Sequence, residues 1–133
     1  MIIYDVTRSH LLFLFHLKFN KITFTIRIML FGVFAIHSPE SCPLNNKSSK
    51  KIFIDLQTKM KSNLKKYNII KIIGFYMSVL EHEWIIIMDA KNAHDIEQLC
   101  ISVGISSMST VKIVPMNDFA TTVKKMKAGH LRL

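Results

Sequence analysis

Residues 69–90 read IIKIIGFYMSVLEHEWIIIMDA, and the fold turns on how this stretch is read. Two isoleucine-rich runs, Ile69 to Leu80 and Trp84 to Ala90, flank the polar triplet Glu81-His82-Glu83. β-Branched and aromatic residues suit a pleated strand, and a short polar break between two such runs has the spacing of a β-hairpin. Successive strand residues point to opposite faces. Ile70, Ile72, Gly74, Tyr76, Ser78 and Leu80 are therefore expected on one side, with Ile69, Ile73, Phe75, Met77 and Val79 on the other. In the following strand Trp84, Ile86 and Met88 oppose Ile85 and Ile87. Neither side is polar, so both faces of the sheet need cover.

The flanking sequence supplies cover for one face. Ile28 to His37 is uncharged and β-rich, a first strand in which Gly32 allows close backbone approach. Pro39 and Pro43 bar regular structure from the loop Ser38 to Asn46. Ser48 or Ser49 is expected to cap a helix running to about Tyr67, with Phe53, Leu56, Met60 and Leu64 as its apolar stripe. Downstream, Asn92 caps a second helix whose apolar side is Ala93, Ile96, Leu99, Cys100 and Val103, and Gly104 stops it. Thr110 to Met116 reads as a fourth strand, placed at an edge by Pro115, and Phe119 to Lys127 as a closing helix. Strand, helix, hairpin, helix, strand is the ferredoxin-like α+β order βαββαβ, in which two helices cover one face of a four-stranded antiparallel sheet. A second copy, sheet against sheet about a two-fold axis, is the expected cover for the other face, making the protein a homodimer.

Composition narrows the class. With 133 residues, half of them hydrophobic, the chain can build one core, which excludes disorder as its main state. Cys42 and Cys100 lie far apart and form neither a C-x-x-C pair nor a secreted framework, so a reducing, cytoplasmic setting is expected. The net charge of +9 comes from 15 lysines and 3 arginines against 9 acids. Eight lysines and one acid, Asp55, fall between Lys47 and Lys71. They read as the solvated side of the first helix; nucleic acid or another anionic partner is the third-ranked function, since arginine is the better mark of phosphate or base recognition. Residues 1–28 hold only the short apolar run Leu11 to Phe15, too brief for a membrane span, which needs about 20 apolar residues. They are expected to be an extension outside the domain, with the domain over 29–127 and a tail over 128–133.

The chain resembles the dimeric α+β barrel proteins, and within them the small stand-alone ferredoxin-like domains of archaea and bacteria. The resemblance rests on the element order and on an H-x-P-E-x-C-P segment after the first strand (His37, Pro39, Glu40, Cys42, Pro43). The passage Ile86-Met88-Asp89-Ala90 and the pair Val114-Pro115 add to it. That superfamily includes monooxygenases, isomerases, haem enzymes and metal-responsive binding proteins, so the resemblance implies the architecture and leaves the function open.

In this topology three segments are expected at one rim: the loop His37 to Cys42, the hairpin Glu81-His82-Glu83, and the link Ser106 to Ser109. Imidazole and thiolate are borderline-to-soft donors suited to nickel, copper or zinc. His37 and His82 are the first candidate ligands, with Cys42 or Glu40 as the third. The alternative is structural: His37 ends a strand, Cys42 fills space before a proline, and the hairpin is an exposed turn. An enzyme acting on an apolar metabolite, an isomerase or cofactor-independent oxygenase, would use a cavity lined by Phe34, Phe75, Tyr76 and Trp84. His37 or His82 would then be its acid–base group. Cys42 as a nucleophile would need His37 as its base. His94 is expected at the opposite end of the sheet, on the surface.

Overall fold

Strand β1 (Met29–Ile36) lies inside a sheet of order β2-β3-β1-β4, antiparallel throughout, with β2 Ile69–Ser78, β3 Glu83–Ala90 and β4 Thr110–Met116. The computed structural model describes residues 27–130, so nearly all of the expected extension, and residues 131–133 of the tail, lie outside the described residues. Helices α1 (Lys47–Asn63) and α2 (Ala93–Val103) are the two crossovers of the βαββαβ arrangement, and α3 (Phe119–Lys127) closes the chain. This is the ferredoxin-like α+β fold read from the sequence.

β1 is central because its residues need no solvent: Phe31, Val33 and Ala35 are buried on one face, opposite Met88, Ile86 and Trp84 of β3. Leu56 and Met60 of α1 and Ile96, Leu99, Cys100 and Val103 of α2 close over them. Gly32 lies on the other face, where a Cβ would meet the Met116 sulfur at 2.6 Å and the Phe34 ring at 2.9 Å, so a larger residue would have to displace those side chains.

The helix ends follow local chemistry. Asn46, not Ser48 or Ser49, caps α1: its side chain accepts the Ser49 N–H at 3.0 Å, and Ser49 is buried in the first turn. Only Asn46 has extended backbone with its oxygen three residues ahead of a free N–H. Regular α1 geometry stops at Asn63, but the chain stays coiled to Asn68, whose φ of 55° is left-handed. Ile69 N–H donates to the Leu64 carbonyl (2.9 Å) and Asn68 N–H to that of Lys65 (3.3 Å), the paired bonds of a Schellman ending. Asn92 caps α2 and Gly104, at φ 94°, ends it, as expected. The α1 lysines stand in solvent, Lys59 beside Asp55 at 3.7 Å.

β2 departs from strict alternation. Its register against β3 shifts between Ile69 and Lys71 and again between Ile72 and Gly74, so Ile70 and Ile73 are bulge residues, 46 % and 53 % exposed. The helix-facing residues are Ile69, Ile72, Phe75 and Met77; Ile72 thus moves to the face opposite the one alternation assigns. The strand also ends at Ser78 rather than Leu80, and residues 79–82 make the turn.

The face away from the helices carries Leu30, Phe34, Ile85, Ile87, Val114 and Met116, all half-buried in the single chain. Its margins are charged, with Lys71 3.5 Å from Asp89 on one side and Lys112 on the other. Among the described residues no helix is long and apolar enough to cross a membrane.

Leu99 is fully buried beneath the sheet. Leu99→Ala is expected to destabilise the protein by about 2–5 kcal/mol in a denaturant titration with unchanged slope, through lost burial and a residual cavity. A loss below about 1 kcal/mol would contradict this packing.

Candidate metal centre

His37 reaches the site because alternation along β1 continues past its end: Ala35 faces the helices, Ile36 faces out, and His37 turns in again, 6 % exposed. Its N–H donates to the His82 carbonyl at 3.0 Å, extending the β1–β3 ladder by one bond and tying the loop to the hairpin turn. His82 sits in that turn at φ 50°, a left-handed conformation that histidine adopts more readily than most side chains.

Proline then shapes the loop. Pro39–Ser41 form a single 3₁₀ turn capped by Ser38, and the Cys42 N–H donates to the Pro39 carbonyl at 3.2 Å. The Cys42 carbonyl in turn accepts the N–H groups of Asn45 and Asn46, each at 2.9 Å, folding the chain back so that Cys42 is only 4 % exposed. Asn46 locks the loop to the helix: its oxygen caps α1 while its amide nitrogen donates to the Glu40 carbonyl at 3.2 Å.

One ligand atom from each of His37, Cys42 and His82 lies within 4.8 Å of the other two. The imidazole rings stand 5.4 Å apart at 78°, and His37 also packs 5.5 Å from the Trp84 ring. Nδ1 of both histidines is buried without a hydrogen-bond partner among the described residues. Burial, and secondarily the neighbouring His82, lower the His37 pKa from its ordinary value, which favours the neutral imidazole. The three residues open onto an apolar cavity of about 160 Å³ that also touches Leu44, Lys50, Phe53, Ile54, Met77 and Val79.

Other sequence candidates fall elsewhere. Glu40 is exposed on the 3₁₀ turn and lies outside the converging group; its own backbone N–H and the Ser38 hydroxyl hold its carboxyl below the ordinary range. Glu81 is exposed, and Glu83 points to the opposite face of the sheet, paired with Ile36 and Ser78. Ser106 and Ser109 line a separate cavity with Cys100 and Val111, so the third expected segment does not join the rim. His94 is on the surface, 3.2 Å from Glu97. Phe75, Tyr76 and Trp84 do line a cavity between α1 and the sheet, about 290 Å³, with Phe53 and Leu56; Phe34 does not, because β1 register puts it on the other face. Met77 touches both cavities, and the sequence marks it only as a strand residue on the Phe75 side of β2, beside the turn.

No family model matches the chain, and no curated protein matches it in sequence. Among solved structures, one similar chain is a candidate antibiotic biosynthesis monooxygenase from Bacteroides thetaiotaomicron, at 8% identity and a TM-score of 0.48, covering 70% of this chain and 90% of that one. A conserved protein of unknown function from the same organism is 15% identical with a TM-score of 0.46, over 68% of this chain and 97% of its own. A conserved protein from Methanosarcina mazei is 13% identical with a TM-score of 0.41, over 68% and 93%.

The two thiols differ in setting. Cys100 is fully buried in α2 and burial pushes its pKa up to about 12, whereas Cys42, 4 % exposed, sits on the loop after β1 rather than inside a helix. Iodoacetamide on the native protein should modify Cys42 well before Cys100, read by peptide mass spectrometry. Equal rates would mean that the protein opens globally before either thiol reacts.

Proposed function

We propose that this is a small dimeric protein that binds a transition-metal ion, nickel, copper or zinc, through His37, Cys42 and His82. The observation carrying the reading is the convergence of two imidazoles and a thiol within 4.8 Å, with both Nδ1 atoms buried and unpartnered. A buried polar atom left unpaired costs about 1–3 kcal/mol, and a bound cation removes that cost. The donors are softer than the carboxylate and carbonyl sets that hold calcium or magnesium. Free thiols at Cys42 and Cys100 suit a reducing compartment such as the cytoplasm.

Calorimetric titration with zinc tests the site. One ion per chain is expected, with affinity falling roughly tenfold or more in His37→Ala and in His82→Ala. Unchanged binding by both variants would end this reading.

A second reading draws on the larger cavity between α1 and the sheet. Trp84, 1 % exposed, lines that space and its Nε1 has no hydrogen-bond partner among the described residues, which favours an apolar metabolite carrying one acceptor oxygen.

For the dimer, the support is the outer sheet face, apolar at its centre and bearing charges of both signs at its margins, a pattern that can match itself across a two-fold axis. Analytical ultracentrifugation should give a dimer at micromolar concentration, and Ile87→Glu a folded monomer. A monomeric parent protein would exclude it.

A further inference from the structure

We infer that the ion held by His37, Cys42 and His82 is copper, that Met77 is its fourth and weakest donor, and that the centre is a one-electron redox site. This rests on the metal-binding reading above and goes further in naming the ion, a ligand and a chemistry. Two imidazoles and one thiolate with a long thioether contact form the donor set of copper electron-transfer sites, whereas structural zinc takes four strong ligands. Met77 is the residue that turns the three-donor group into that set: it lies on the helix-facing side of β2 and lines the same cavity as His37, Cys42 and His82. Among the described residues no carboxylate lines this cavity; besides its sulfur and imidazole donors it carries the Ser78 hydroxyl and the Lys50 ammonium, both weaker ligands for copper than thiolate or imidazole.

The surroundings fit electron transfer better than hydrolysis. Leu44, Phe53, Ile54 and Val79 make the cavity wall apolar, which lowers the local dielectric and leaves little to orient an attacking water. Lys50 is the charged side chain on that wall. Cu(I) bound to one thiolate is electrically neutral and Cu(II) carries one added positive charge, so the nearby ammonium favours the reduced ion and raises the potential. Met77 is 48 % exposed at the edge strand, so the centre lies close to the surface, where an electron can leave. In the step itself Cu(I) gives one electron to an outer-sphere one-electron acceptor and becomes Cu(II). No ligand bond is made or broken and no proton moves.

The full chain, loaded anaerobically with one equivalent of Cu(I) and oxidised with ferricyanide, tests this. The expected product shows an intense visible sulfur-to-copper charge-transfer band that ascorbate bleaches reversibly, and the band is absent in Cys42→Ser. Met77→Leu should keep one copper per chain, change the band and raise the potential; Met77→Gln, with an oxygen in place of the sulfur, should lower it. Circular dichroism of each variant reports that it is folded. Zinc binding that depends on His37 and His82, combined with a copper form lacking the band, would leave the metal site standing and overturn the copper assignment. A band and potential unaffected by both Met77 variants would overturn the role of Met77. Absence of binding by either ion would overturn both readings.

Discussion

The pairing of β1 with β3 is the interaction on which the other features hang. It runs in register from Met29 opposite Ala90 to Ile36 opposite Glu83, and one further bond, His37 N–H to the His82 carbonyl, carries it past the strand ends. That register decides which side chains of both strands face the helices, and so composes the core from Phe31, Val33 and Ala35 against Trp84, Ile86 and Met88. It also places the residue after β1 and the residue before β3 on neighbouring backbone. Two histidines 45 positions apart in sequence meet because the ladder ends where it does.

Much of this was legible in the chain because it is locally encoded. The Asn92 cap, the stop at Gly104 and the periodicity of α2 depend on residues within one or two turns, and the structure has each where the sequence puts it, whereas the α1 cap falls on Asn46 rather than Ser48 or Ser49. The convergence of His37, Cys42 and His82 needed only the strand order, since β1 and β2 run parallel and must end at the same rim. What escaped reading is set by non-local partners. The bulges at Ile70 and Ile73 arise where β2 meets β3, and no local feature distinguishes these isoleucines from Ile69 or Ile72. Phe34 shares the aromatic character of the cavity residues, but the period-two rule along β1 puts it on the outer face with Gly32. Glu40 illustrates a finer limit: a single 3₁₀ turn separates its direction from that of Cys42, and composition carries no sign of that rotation.

Asn46 shows how one residue joins fold to site. Its side chain meets two backbone demands at once, the free N–H of the α1 start and the Glu40 carbonyl, so the loop cannot pivot without uncapping the helix. Removing a cap costs about 0.5–2 kcal/mol, and here the same loss would release the segment that carries Cys42 inward. The position of the thiol is thus maintained by helix stability.

Two features of the rim are costly in the single chain: the left-handed backbone at His82, of order 1–3 kcal/mol, and the pair of buried imidazole nitrogens without partners. Against a typical total stability of about 5–15 kcal/mol these are large sums for a turn and a strand end. Glycine at position 82 would relieve the backbone, and an apolar side chain would fill the space beside Trp84 with no unpaired nitrogen. The chain instead keeps two imidazoles edge to face beside a buried thiol, at a place where an aliphatic core would be more stable. Left-handed backbone recurs at Asn68, where it ends α1, and unpaired buried atoms at Trp84 and Ser109, but among the described residues the two coincide beside a second imidazole and a thiol at this rim.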